Sequence, residues 1–178
     1  MRIIGGKLKG QRLNPPAKLP VRPTTDSAKE ALFNILSNQL DFESLKVLDL
    51  FSGTGNISLE FASRGAPSVT SVDRDFGCYN YLKTVAKQYG LDAIQPVKAD
   101  VLKYLEVETD QYDLIFTDPP YDLPQMNQMA PIVFRRNILK PDGVLIVEHH
   151  SMKKINNDPH FIEQRKYGSS SFSFFAHK

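Results

Sequence analysis

The sequence predicts an α/β fold in which a mostly parallel sheet carries helices on both faces and an antiparallel hairpin closes one edge. Three observations lead there. From Lys46 to Glu148, five short apolar runs rich in Val, Ile and Leu alternate with segments of helical period, the pattern of parallel strands joined by crossover helices. Near the end, two further runs flank a Gly-Ser turn with no helix between them, as in a hairpin. Before Lys46 the alternation is absent, and a basic Gly-containing segment, a Pro-rich connector and one amphipathic helix take its place.

Along the chain, residues 2–13 place basic side chains among aliphatic ones around Gly5-Gly6 and Gly10, which predicts two short strands and a small basic hairpin. Pro15, Pro16, Pro20 and Pro23 stiffen residues 14–25 into an extended connector, and Thr25 or Asp26 is placed to cap a helix. Ala28, Ala31, Leu32, Ile35 and Leu36 share one face at helical spacing, predicting an amphipathic helix over 26–39. Val47 to Phe51 is a buried strand, and Gly53-Thr54-Gly55 leads into a helix over 56–64. A strand over Val69 to Asp73, a helix over 76–89, a strand over 94–98 and a short helix over 101–106 come next. Tyr112 to Thr117 is the fourth strand, 126–139 a helix, and the turn Lys140 to Gly143 brings in the fifth strand, Val144 to Glu148. Phe161 to Tyr167 and Ser170 to His177 form the terminal hairpin. Residues 1–25 are thus an appendage and 26–178 the main domain.

A chain of 178 residues suits one domain with a sizeable core. Apolar content of 41% beside 24% charged residues excludes a disordered chain, and no apolar run reaches the roughly 18 residues of a membrane span. The charged N-terminus lacks a signal-type apolar stretch and Cys78 is the single cysteine, so a cytoplasmic protein without an internal disulfide is expected. Cys78 lies in a helical stretch with no motif around it and is read as a packing residue. The net charge of +2 conceals an asymmetry: residues 1–29 carry seven Lys or Arg against the single acid Asp26, and the remainder is mildly acidic. That density of positive charge at one end points to nucleic acid.

Asp49-Leu50-Phe51-Ser52-Gly53-Thr54-Gly55 stands at the junction of the first strand and its helix, where open parallel sheets bind ligands. The dinucleotide fingerprint needs a third glycine where this chain has Ser58, and no Gly-Lys-Ser/Thr is present to cradle a triphosphate. Asp73 ends the second strand about where such folds place an acid for ribose hydroxyls, and Asp75 is a competitor better suited to capping the next helix. Asp100 follows the third strand and either accepts from an adenine amine or caps a helix.

Asp118-Pro119-Pro120-Tyr121 follows the fourth strand and is the most informative tetrapeptide. Proline stiffness holds the carboxylate and the Pro119 carbonyl as two fixed acceptors. Two acceptors suit an exocyclic amine of a base, whose lone pair is delocalised until both N–H groups are bound and the nitrogen is drawn toward tetrahedral geometry. Tyr121 would stack on a base turned out of its surroundings. The four histidines show no metal-ligand spacing and are read as surface or edge-strand residues.

With Arg2-Ile3-Ile4-Gly5-Gly6, Gly10 and Arg12, then Arg22-Pro23-Thr24-Thr25-Asp26 running into Lys29-Glu30-Ala31-Leu32-Phe33-Asn34, and both strand-end motifs, the chain resembles the RsmD family of 16S ribosomal RNA guanine-N2 methyltransferases along nearly its whole length. It departs at Ser27, where the family usually has Arg, and at Lys29, where a second Arg is common. The resemblance implies a Rossmann-like seven-stranded class I methyltransferase sheet with an N-terminal basic β-hairpin extension. It also implies S-adenosylmethionine as donor and, as acceptor, a guanine of 16S rRNA in the small subunit, guanine 966 in the family. By that resemblance Asp49, Phe51, Gly53 and Gly55 surround the donor's methionine and ribose, Asp73 holds the ribose, and Asp100 and Val101 lie near the adenine. Asp118, Pro119, Pro120 and Tyr121 form the acceptor site, with Arg22 to Thr25 over it. RNA contacts are expected from Arg2, Lys7, Lys9, Arg12, Arg22, Thr24, Thr25 and Lys29. A monomer that needs no metal and no membrane is expected.

Competing readings are an adenine-N6 methyltransferase of DNA or RNA, which shares an Asp-Pro-Pro-Tyr type of motif, and a non-catalytic RNA-binding assembly factor that keeps only the fold. The basic N-terminal signature opposes the first and the intact strand-end motifs oppose the second. A nicotinamide oxidoreductase is weaker still because of Ser58.

Overall fold

The computed structural model describes residues 1–120, 123 and 126–178. Its elements run α1 (Asp26–Ser37), β1 (Lys46–Leu50), α2 (Asn56–Ser63), β2 (Ser68–Asp73), α3 (Phe76–Gln88), β3 (Ile94–Lys98), α4 (Val101–Val107), β4 (Tyr112–Thr117), α5 (Met129–Arg135), β5 (Leu139–His150), β6 (Phe161–Tyr167) and β7 (Ser170–Phe175). They form the expected α/β fold. One seven-stranded sheet has the order β3-β2-β1-β4-β5-β7-β6, parallel from β3 to β5, with β7 antiparallel to both β5 and β6. After β3 the chain crosses back to lay β4 on the other side of β1, so the strand order reverses there. A crevice opens beyond the carboxyl ends of β1 and β4 at that reversal.

Two apolar cores, one on each face, explain why the central strands read as nearly continuous apolar runs. One joins Leu32, Phe33 and Leu36 of α1 to Phe61 of α2 and Leu82 of α3; the other joins Leu105 of α4 to Met129 and Val133 of α5. Phe33 and Phe61 sit with ring centroids 4.7 Å apart, a pairing worth about 1 kcal/mol beyond the area it buries.

The N-terminal hairpin is held by a single antiparallel bridge, Arg2 to Arg12, rather than by two full strands. Its stability comes from docking. Ile3 and Leu13 enter the first core, and the Ile4 and Gly5 N–H groups both donate to the Glu60 carboxylate at 2.9 Å. Gly6 approaches α2 so closely that a Cβ there would meet the Ser63 carbonyl oxygen at 1.9 Å, and its φ is +77°. Only glycine fits at that point.

The fifth helix is shorter than the predicted 126–139. A 3-10 turn, Met126–Gln128, precedes α5, whose first turn contains Pro131, and the helix closes where Asn137 takes a left-handed φ of 57°. The predicted turn Lys140 to Gly143 lies inside β5 as an irregularity, where pairing with β4 jumps from Tyr112–Leu139 to Leu114–Val144. His149 overturns its surface or edge assignment: it is fully buried on β5, an interior strand, with Nε2 2.7 Å from Ser173 Oγ. Cys78 is fully buried and its thiol is pushed up to about 12 by burial, as suits a packing residue.

Candidate active site

β1 delivers Asp49 into the crevice almost fully buried. Ser58 Oγ, in the first turn of α2, donates to Asp49 Oδ2 at 2.6 Å and also lies 2.6 Å from Ser71 Oγ. The residue that breaks the dinucleotide fingerprint therefore has a task of its own, holding this acid. Burial raises the Asp49 carboxyl to about 7, against the lowering effect of the Ser58 bonds.

The chain then turns through Phe51, whose φ of 56° is unusual for a residue with a side chain, and through Gly53 and Gly55, both left-handed. At Gly55 a Cβ would stand 2.4 Å from Leu82 Cδ1, so α2 can start here only from glycine. The turn is tied across to β2: Gly53 N–H donates to Asp73 Oδ2 at 2.9 Å, and Asp75 N–H donates to Asp73 Oδ1 at 2.9 Å. Asp75 caps α3 through the Cys78 N–H, as its competitor role implied.

Asp100 caps α4 by accepting from Lys103 N–H at 3.1 Å. It is exposed and lies outside the cavity wall, whereas Val101, next to it, lines the cavity. The helix-capping alternative is thus the one its geometry supports.

β4 ends in buried Thr117, and Asp118, Pro119 and Pro120 continue the wall. Tyr121 lies outside the described residues. The pairing of Thr117 with both Leu50 and Val147 sets Asp118 level with Glu148 on β5. Burial raises the Asp118 carboxyl well above the usual range, the Glu148 and Asp49 charges raise it further, and Arg22 opposes them. Glu148 is also raised by burial, against bonds from Thr24 and Ser170 and the Arg22 charge. Nothing in the sequence analysis singled out Glu148; its signal was an acid at the end of a buried parallel strand.

Asp49, Gly53, Asp73, Val101 and Asp118 line one cavity of about 680 Å³, within the usual size of small-molecule sites, with Glu148 outside its wall. Its roof is the Pro-rich connector, residues 20–24. Val21 Cγ1 lies 3.0 Å from where a Gly53 Cβ would stand, so the connector rests directly on the glycine turn. Thr24 is buried, its hydroxyl donating to Glu148 Oε1 at 2.5 Å and its carbonyl accepting from Asn56 Nδ2 at 2.9 Å. Thr24 therefore faces the cavity and not a phosphate-bearing surface.

The expected RNA contacts divide. Lys7, Lys9, Arg12 and Arg22 are exposed, Arg2 is partly so, and Thr25 spends its hydroxyl capping α1 through Ala28 N–H. Lys29 is a correction. It is fully buried, donating to the Arg2 carbonyl at 2.6 Å and Asn56 Oδ1 at 2.9 Å, and pairing with Glu60 at 3.1 Å, so no phosphate reaches it. Among the described residues no group of three or more His, Cys, Asp or Glu could hold a metal, and no helix is long and apolar enough to cross a membrane.

The sequence model of the family described as Conserved hypothetical protein 95 matches residues 1–176. The chain is 33% identical to the putative rRNA methyltransferase YlbH of Bacillus subtilis, over 84% of this chain and 82% of that one. It is 29% identical to ribosomal RNA small subunit methyltransferase D of Buchnera aphidicola, over 89% and 81%. Among solved structures, a putative methylase from Haemophilus influenzae superposes with a TM-score of 0.79 at 26% identity, covering 98% of this chain and 96% of that one.

Proposed function

The chain belongs to the Conserved hypothetical protein 95 family, the RsmD family, and from that membership we propose that it transfers a methyl group from S-adenosylmethionine to the exocyclic N2 amine of a guanine in 16S ribosomal RNA, guanine 966 by family resemblance. The observation that carries this reading is the meeting of Asp118-Pro119 with the glycine turn and Asp73 in one cavity.

The cavity's chemistry suits such a donor. Asp49, Asp118 and Glu148 crowd three buried carboxyls together, and each has its proton affinity raised by burial. A cation in the cavity beside Asp49 and Asp118 relieves that repulsion, and the donor is cationic at both sulfur and amine. When bound, it supplies an electrophilic methyl group on a positively charged sulfur. Asp73, already oriented by two N–H groups, keeps lone pairs for the ribose hydroxyls. Phe51 and Gly53 line the cavity on the side of the methionine and ribose parts, Gly55 serves the turn by packing on Leu82, and Val101 offers apolar surface to the adenine.

At the other end, Asp118 and the Pro119 carbonyl accept the two amine hydrogens and aim the nitrogen lone pair. The raised proton affinity of Asp118 suits it to take the proton that the amine releases after transfer. Connector residues 20–24 roof the cavity and exclude water, while exposed Lys7, Lys9 and Arg12 engage phosphate. Tritiated methyl transfer to small subunits from a strain lacking this gene, followed by nucleoside analysis, tests the assignment. N2-methylguanosine is the expected product; N6-methyladenosine would replace this reading with the adenine alternative.

A further inference from the structure

Thr24 stands between the cavity and Glu148. It lines the cavity wall, and its only hydroxyl proton is committed to Glu148 Oε1 at 2.5 Å. A hydroxyl that donates in one direction presents lone pairs in the others. Both partners are fixed. The Thr24 carbonyl is held by Asn56 Nδ2, Thr25 immediately begins the cap of α1, and Glu148 is set in β5 opposite Phe172 of β7. The hydroxyl has no freedom to turn its proton toward the cavity while Glu148 remains an acceptor.

We propose that the Thr24–Glu148 pair selects guanine through its N1–H, with Thr24 Oγ1 as the acceptor and Glu148 as the positioning residue that keeps it one. This rests on the guanine-N2 reading above and names what enforces it. The edge of guanine that carries the amine presents three hydrogens, one on N1 and two on N2. The wall offers three acceptors, the Asp118 carboxylate, the Pro119 carbonyl and the Thr24 oxygen. A purine whose N1 is unprotonated sets a lone pair against the Thr24 lone pairs, and a buried site built around a donor rejects a base that lacks it.

The test uses the full chain and small subunits reconstituted with either guanine or 2-aminopurine at the target position. The second base keeps the same amine but carries no hydrogen on N1. The wild-type chain is expected to prefer guanine by at least about a hundredfold in kcat/KM. Thr24→Val and Glu148→Gln are each expected to shrink that preference at least about tenfold, because the first removes the acceptor and the second lets the hydroxyl turn. Thr24→Ser, which keeps the hydroxyl, is expected to retain it. Donor binding and melting curves check that each variant is folded, and the valine and serine variants decide the matter if Glu148→Gln does not fold. Equal use of both bases by the wild-type chain overturns the proposal. So does a loss in Thr24→Val that is the same for both bases, since a merely structural role lowers both alike. If neither base gains a methyl group at N2, the guanine-N2 reading itself fails, an outcome distinct from lost discrimination.

Discussion

Lys29 Nζ lies 3.1 Å from Glu60 Oε1, and neither side chain is exposed to solvent. The pair joins three parts of the molecule. Lys29 belongs to α1 and holds the Arg2 carbonyl of the arm; Glu60 belongs to α2 and holds the Ile4 and Gly5 N–H groups and Arg64. Burial lowers the Lys29 pKa, and the Glu60 charge and hydrogen bond oppose that shift. Lys29→Met leaves a buried carboxylate with Arg64 as its remaining cation. A loss of about 3 kcal/mol, the lower end for breaking a buried pair, is expected in denaturant unfolding. A change below about 0.5 kcal/mol, typical of surface sites, would contradict the burial of this pair.

Asp73→Ala is expected to weaken donor binding by roughly 1.5–3 kcal/mol, the worth of hydrogen bonds to a charged group. The same carboxylate also accepts from Gly53 N–H, so the alanine variant loosens the glycine turn as well. Calorimetry on the folded variant measures the loss, and unchanged donor affinity would remove Asp73 from the ribose contact. RNA affinity is expected to stay nearly constant.

The arm cannot be tested by deletion, because Ile3 and Leu13 are part of the core. Single substitutions of its exposed cations are the proper probes. Lys7→Ala and Lys9→Ala are each expected to weaken RNA binding and to reduce the slope of log affinity against log salt by about 0.7–0.9 per lost phosphate contact. An unchanged slope in the double variant would make the arm a solvated face only.

Asp49 gives a pH signature. Its carboxyl stands at about 7 in the folded chain against 3.8 for a free one, so between those values the native state binds the extra proton. Its contribution to stability is complete below about 4 and is lost as pH rises to about 7. Asp49→Asn keeps an acceptor for Ser58 and does not titrate. The stability of the variant relative to wild type, without donor, is expected to rise from pH 4 to 7 and then level off. Melting temperatures across that range would show it, and a flat difference would mean that Asp49 is not desolvated.

The sheet was legible where a buried run or a flanking turn residue marks a strand. β4 over Tyr112–Thr117 falls at its predicted bounds because its buried apolar run stops at Asp118-Pro119, and β6 over Phe161–Tyr167, mostly polar and little buried, does so because Gly168 turns the chain; β3 over Ile94–Lys98 also falls at its predicted bounds. Asp49, Asp73 and Asp118 were legible from position, since the ends of parallel strands gather at the crevice. What escaped was pairing across long stretches of sequence. Lys29 reads as a surface cation until Glu60, 31 residues later, is found beside it. Glu148 lies 124 residues from Thr24, and on its other side β5 pairs with β7, a strand that comes later in the chain. The arm's interleaved charges suggested strands, but their docking on α2 is set by Gly6 and Glu60, which no local pattern reveals.

Whether Asp118 acts on the amine in the transition state is decided by the single-turnover rate of methyl transfer in Asp118→Ala, with donor and RNA binding measured separately. Asn at this position keeps an acceptor oxygen but cannot take up a proton, so Asp118→Asn is expected to fall between alanine and wild type. Interactions made chiefly in the transition state lower turnover more than binding. The alanine variant is expected to bind both substrates and to lose at least about a hundredfold in rate, the low end for a positioned acid or base; a wild-type rate in that variant would remove Asp118 from the chemistry.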